Sequence, residues 1–151
     1  MKRSKTLQAA LMASPDDIEA QFYEALQQGD IDKLMGVWAE DDDIACAHPG
    51  SMRVHGPAAV RAVFDEMFTQ GPVNAHAMRV RRTQLGSTTA IHHVLQAVIV
   101  DTEQGPETGY VLATNIYVNT PQGWRMLVHH ASVGSPREMD VPVEHGAPLL
   151  H

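Results

Sequence analysis

The sequence predicts an α+β domain in which three short helices precede a long antiparallel meander. Residues 15–68 carry apolar side chains at helical spacing, interrupted by Gly and Pro. From Asn74 onward the pattern changes to runs rich in β-branched and aromatic residues: Asn74–Gln84, Thr88–Asp101, Gly109–Asn119 and Gly123–Ser132. These strands are long for a chain of 151 residues. They must twist and curl to bury their apolar face, with the helices on the concave side and a pocket at one end.

Ser14-Pro15-Asp16-Asp17 reads as a helix start, with Ser as cap, Pro in the first helical position and acids in the first turn. Ile18, Phe22, Ala25 and Leu26 share one face, and Gly29 ends the helix. Asp30 caps a second helix over Ile31–Ala39, which turns Leu34, Val37 and Trp38 inward, and Asp41–Asp43 breaks it. Asp43–Ala47 reads as a short strand and His48-Pro49-Gly50 as a turn. Gly56-Pro57 opens a third helix through Phe68, with Val60, Val63, Phe64 and Met67 on one face, and Gly71-Pro72 ends it. Residues 1–14 are expected to be a leader, residues 15–134 the folded domain, and residues 135–151 an extended tail.

Hydrophobic content of 44% and charged content of 19% are ordinary for a globule. The net charge of −7, with eleven Lys and Arg, argues against nucleic acid and against an anionic membrane surface as partners. No run of eighteen apolar residues occurs, so no membrane span is expected. The basic run Arg79-Val80-Arg81-Arg82 reads as a solvated sheet face. Lys2-Arg3-Ser4-Lys5 with Leu7–Ala13 faintly resembles a signal peptide, but the apolar part is short and broken by Gln8; the expected location is cytoplasmic. The single cysteine, Cys46, excludes an internal disulfide and reads as a small buried hydrophobe.

Candidate chemistry centres on histidine. His129-His130 ends the last strand, and alternation sends one ring to each face of the sheet. Thr120-Pro121-Gln122-Gly123 reads as the hairpin turn before it. A plain two-residue connection pairs Asn119 with Trp124, Tyr117 with Met126, Asn115 with Val128 and Ala113 with His130. A bulge at Gly123 would bring Thr114, Ile116 and Val118 to that face instead. The adjacent pairs His92-His93 and His129-His130 cannot chelate together, and no H-x-H or H-E-x-x-H occurs, so no metal site is expected. No nucleophile motif is present, and no cofactor is expected.

Three segments, IEAQFYEALQQGDIDKL (18–34), WAEDDDIACAHPGSMRVHG (38–56) and TNIYVNTPQGWRMLVHHAS (114–132), resemble the nuclear-transport-factor-2-like superfamily in its SnoaL-like or ketosteroid-isomerase-like branch. WRMLVHHAS is also similar to the association domain of calcium/calmodulin-dependent protein kinase II. The resemblance implies a cone of curved, mostly antiparallel sheet wrapped over three helices, usually dimeric. The steroid isomerase uses an Asp base and an oxyanion hole of Tyr and protonated Asp. By resemblance its Tyr falls at Phe22, its base at His48 and its acid near Thr114 or Asn115. All three groups differ, which disfavours that reaction. The kinase domain has an Arg, which lies in its pocket, and a Trp at positions matching Asn115 and Tyr117. The expected inward set is therefore Asn115, Tyr117 and His130, with Trp38 as a wall. His48 stands at the mouth, where the family's pocket opens.

Fold does not settle function. The reading that fits best is a pocket for a small organic or carboxylate-bearing ligand, without assured turnover, bound through Trp38, Asn115 and Tyr117. A second is an isomerase, dehydratase or cyclase using His48 or His130 as acid–base group, with His130 held neutral by desolvation. A third is an assembly module. Because Ile91, Leu95, Ala97 and Ile99 alternate with Ala90, Val94 and Val98, both faces of one strand are apolar and a homodimer is expected. Light scattering should report a dimer at micromolar concentration; a monomer would overturn this expectation.

Overall fold

The computed structural model describes residues 14–140 and 142; the expected leader up to residue 13, and the rest of the tail, lie outside them. Helix α1 spans Pro15–Gln28 and begins as the sequence dictates: Ser14 Oγ accepts from the Asp17 amide at 3.1 Å. Gly29, at φ 64°, ends it in the left-handed conformation. Asp30 caps α2, Ile31–Gly36, by accepting from the Lys33 amide at 3.0 Å. This helix is shorter than expected. Residues 37–39 leave it to join the sheet: the Met126 amide donates to the Val37 carbonyl at 2.7 Å, and the Ala39 amide donates to the Met126 carbonyl at 2.9 Å. Trp38 is thereby held against the last strand. Helix α3 spans Pro57–Phe68.

The sheet has six strands: β1 (Ala45–Ala47), β2 (Val54–His55), β3 (Asn74–Leu85), β4 (Thr89–Thr102), β5 (Gly105–Thr120) and β6 (Gly123–Val133). It is open, in the order β2-β1-β6-β5-β4-β3. Among these six strands only β1 and β6 run parallel, with Cys46 opposite His129 and Ala47 opposite His130. The four long strands are those expected from alternation; β2, two residues long, is not, because so short an edge strand carries no periodicity. A 3-10 turn, Pro136–Asp140, follows β6.

Two irregularities bend the sheet. One lies in β3 between Ala77 and Arg79. The other lies in β6: Tyr117 pairs with Met126, but the next residue of β5, Ile116, pairs with Val128. Leu127 is thus an extra residue, a β-bulge. Up to that point the hairpin follows the two-residue register, with Asn119 opposite Trp124. Beyond it every side chain of β6 changes face relative to expectation. Asn115 faces His129, and Thr114 faces His130. The anticipated pairings of Asn115 with Val128 and Ala113 with His130 do not occur.

The helices cover the inner face. Ile18, Phe22, Leu34, Phe64, Tyr117 and Met126 are fully buried there. On the outer face Leu95 and Ala97 are 5% and 4% exposed within the single chain, so part of the apolar surface of β4 is already covered. Tyr117 ties the layers together, donating its hydroxyl proton to Glu19 Oε2 at 2.8 Å inside the core. Tyr117→Phe should lower unfolding free energy by about 1–3 kcal/mol, since the buried carboxyl loses a donor. Chemical denaturation of the variant measures this directly, and an unchanged midpoint would contradict it.

Candidate functional site

Polar groups enter the apolar interior from both layers. From α1 come Glu19 and Tyr23, four residues apart on one helix face and 5% exposed each. From β4 come His92 and Gln96, from β5 Asn115 and Tyr117, and from β6 His129, all buried. Glu19 Oε2 is bonded to His92 Nδ1 at 2.8 Å as well as to Tyr117. Tyr23 donates to Gln96 Oε1 at 2.9 Å. His129 Nδ1 lies 2.6 Å from Asn115 Oδ1. Since the amide oxygen only accepts, the proton sits on Nδ1, and Nε2 keeps its lone pair.

An aromatic wall surrounds this cluster. The His129 ring packs on Phe22 at 5.0 Å between centroids and faces His48 at 5.6 Å. His48 meets Phe64 edge-on at 5.1 Å, and Phe64 contacts Trp38 at 6.4 Å and Phe22 at 6.1 Å. His48 follows β1 and is only half-buried, so it stands where this cluster meets solvent.

Burial sets the protonation of these groups. The fully enclosed His129 ring is pushed down to about 3, first by desolvation and then by the neighbouring His48 and His130. Burial also lowers the pKa of His48. The Cys46 thiol, 3.8 Å from His48 Nε2, is pushed up to about 12 by burial, so it stays protonated and is no nucleophile. Desolvation, with Glu19 nearby, raises both Tyr23 and Tyr117; the adjacent Asn115 amide pulls each the other way.

Two buried donors have no acceptor in hydrogen-bond geometry: Trp38 Nε1, and Asn115 Nδ2, which meets the Tyr23 and Tyr117 hydroxyls only more loosely. Each such group costs about 1–3 kcal/mol.

Of the residues singled out from sequence, His48, Asn115, Tyr117 and Trp38 gather around this cluster. His130 does not. It is exposed on the opposite face, beside Thr114, and His129 holds the interior position expected for it. The physical reason is the Leu127 bulge. The phenol of Tyr117 is also already engaged with Glu19. Sequence reasoning missed Glu19, Tyr23, His92 and Gln96. A signal was present: Glu19 and Tyr23 flank the Ile18–Phe22 apolar face, and His92 and Gln96 share one face of β4 with Val94. Polar groups on two faces that must meet are polar partners for one another.

The chain belongs to the SnoaL-like domain family, whose model matches residues 16–136. It is 34% identical to a solved structure provisionally named a calcium/calmodulin-dependent protein kinase type II association domain, from Thiobacillus denitrificans, with a TM-score of 0.74 over 82% of this chain and 98% of that one. It also resembles a provisionally named dehydratase of the NTF2-like family from Streptomyces avermitilis, 22% identical, with a TM-score of 0.71 over 87% and 99% of the two chains. An NTF2-like protein with a cystatin-like fold from Novosphingobium aromaticivorans is 19% identical, with a TM-score of 0.69 over 90% of each chain. No curated protein matches the chain significantly. These likenesses bear out the superfamily and the cone-like α+β fold. Among the described residues no helix is long and apolar enough to cross a membrane.

The lowered pKa of His129 has a thermodynamic consequence. The unfolded ring binds a proton as pH falls through 6.5, whereas the folded ring does so only near 3. Between those values the unfolded state holds more protons, so stability falls as pH falls; above 6.5 the contribution is complete. Imidazole titration followed by NMR should find His129 neutral at about pH 5, and a midpoint above 6 would contradict the burial described.

Proposed function

We propose that the protein binds a small organic molecule bearing a carbonyl or carboxyl oxygen, at the interior end bounded by Trp38, His48, Phe64, Asn115 and His129. The observation that carries this reading is the pair of buried donors, Trp38 Nε1 with no acceptor and Asn115 Nδ2 with none beyond the loosely placed Tyr23 and Tyr117 hydroxyls. A core selected for stability alone would pair such donors or replace them with apolar groups. An oxygen acceptor entering past the half-buried His48 would satisfy them, and the rings of Phe22 and Phe64 would pack its apolar body.

Binding is favoured over turnover by the same chemistry. Glu19, the carboxyl of the interior cluster, is already occupied by Tyr117 and His92. An imidazole with a pKa near 3 is a weak base at neutral pH, so His129 suits hydrogen bonding better than proton abstraction. Proton transfer, as an isomerase or dehydratase would need, would fall to His48, whose ring is desolvated yet reachable.

A thermal-shift screen of aromatic ketones and small aromatic carboxylic acids should yield stabilising ligands. Trp38→Phe and Asn115→Ala should each weaken a hit about tenfold or more, the loss of a buried hydrogen bond to its acceptor. His55→Ala, at the exposed β2 edge, should leave it unchanged. Hits indifferent to both substitutions, or an empty screen, would sink the proposal.

A further inference from the structure

The interior end has polar groups but no fixed cation. Among the described residues the buried polar and charged side chains are Glu19, His92, Gln96, Asn115 and His129, with no Lys or Arg among them. The guanidinium that alternation sends to the inner side of β3, Arg82, is exposed and committed to Asp16, donating through Nε at 2.7 Å. On the helices, Lys33 and Arg61 bridge to the exposed carboxylates of Glu24 and Asp32 at 3.1 and 2.8 Å.

The titratable groups around this end add no standing positive charge. Burial keeps the Cys46 thiol of β1 and the phenols of Tyr23 and Tyr117 protonated, and therefore neutral. The same desolvation disfavours the imidazolium form of His48 at the mouth and of His129 on β6. His92 of β4 turns Nδ1 to Glu19, so a proton held there is spent on that carboxyl. Glu19 itself can carry a negative charge or none, and offers an anion no attraction.

The hydrogen-bond pattern is equally selective. The 2.6 Å contact between Asn115 Oδ1 and His129 Nδ1 fixes both groups at once. It commits the amide oxygen, leaving Nδ2 as the group Asn115 can offer, and it leaves the imidazole with the lone pair of Nε2. A carboxylate only accepts, so it could meet donors but never Nε2. It would also carry into an aromatic enclosure a charge with no counter-ion, which hydrogen bonds from neutral donors do not offset. An un-ionised carboxylic acid or a primary amide carries an acceptor and a donor on the same carbon.

Building on the binding site proposed above, we propose that its interior end takes the ligand uncharged, as the un-ionised carboxylic acid or the primary amide, and rejects the carboxylate. Asn115 is the specificity-determining residue, because its nitrogen is what the ligand carbonyl meets. An acid in solution binds only as the fraction that carries its proton.

Isothermal titration of the full chain with benzamide, benzoic acid and benzylamine between about pH 5 and pH 7 tests this. Benzamide is neutral throughout and should bind equally well across the range. Benzoic acid ionises increasingly over the same range and should lose about tenfold in apparent affinity per pH unit, since only the protonated fraction is competent. Benzylamine, a cation of similar shape, should not bind. The benzoic acid slope should persist in His48→Gln, because a carboxylate held by a protonated His48 would lose its pH trend there. In NMR spectra benzamide should shift the His129 ring signals and leave those of the outer-face His93 and His130 in place. Benzoate bound as tightly at pH 7 as at pH 5, a slope lost in His48→Gln, or benzylamine bound as well as benzamide would overturn the proposal while leaving the binding site standing. So would ketones that bind where benzamide does not. If no ketone, acid or amide binds at any pH, the site and the proposal fall together.

Discussion

One extra residue in β6 decides what faces what. Side chains in a strand alternate with period two, so a single insertion into a ladder exchanges its two faces from that point on. Leu127 is that insertion. In the unbulged register His130 would face inward opposite Ala113, and His129 would face outward. The Asn115–His129 hydrogen bond, the contact of His129 with His48, and the place of His130 on the outer face beside Thr114 all follow from where this bulge falls. Bulges also strengthen twist, so the residue that sets the facing of the histidines also helps curl the sheet over the helices.

The interior cluster is held by a division of labour between helix and sheet. Glu19 cannot be buried without partners, and β4 and β5 each provide one. Tyr23, one turn later, reaches Gln96. These contacts anchor α1 across two strands. They also use up the capacity of the groups involved, leaving Asn115, Trp38, His48 and His129 as the polar surface of the interior end. The groups that fasten α1 to the sheet and those proposed to meet a ligand are therefore different residues, although they interleave in sequence.

How much of this was readable from the chain differs by level. Helix caps at Ser14 and Asp30, the stop at Gly29 and four long strands follow from local rules, because capping and alternation act within a few residues. The near turn of the hairpin was equally legible, since Pro121 and Gly123 fix it. The bulge was not: Leu127 sits in a run, Met126–Val128, whose apolar residues suit either face. That local ambiguity propagated to His130. The second helix was overextended for a similar reason. Trp38 and Ala39 fit a helical pattern, but the Met126 backbone takes the Val37 carbonyl and the Ala39 amide into the sheet instead. The pairing of Glu19 with His92 and Tyr117 is a tertiary fact with only a compositional trace in the sequence.

The parallel pairing of β1 with β6 joins the early part of the chain to its last strand. His48 and His129 become neighbours only through that seam, with a helix and three long strands intervening in sequence. Chain made on a ribosome would therefore emerge with its core helices and most of its meander before either ring had its counterpart. The interior end is completed by the final piece of sheet to arrive, and because β6 lies between β1 and β5, a nascent or clipped chain lacking it would lose Trp124 and Met126 from the core together with that end. Only the finished sheet presents His48 and His129 to one another.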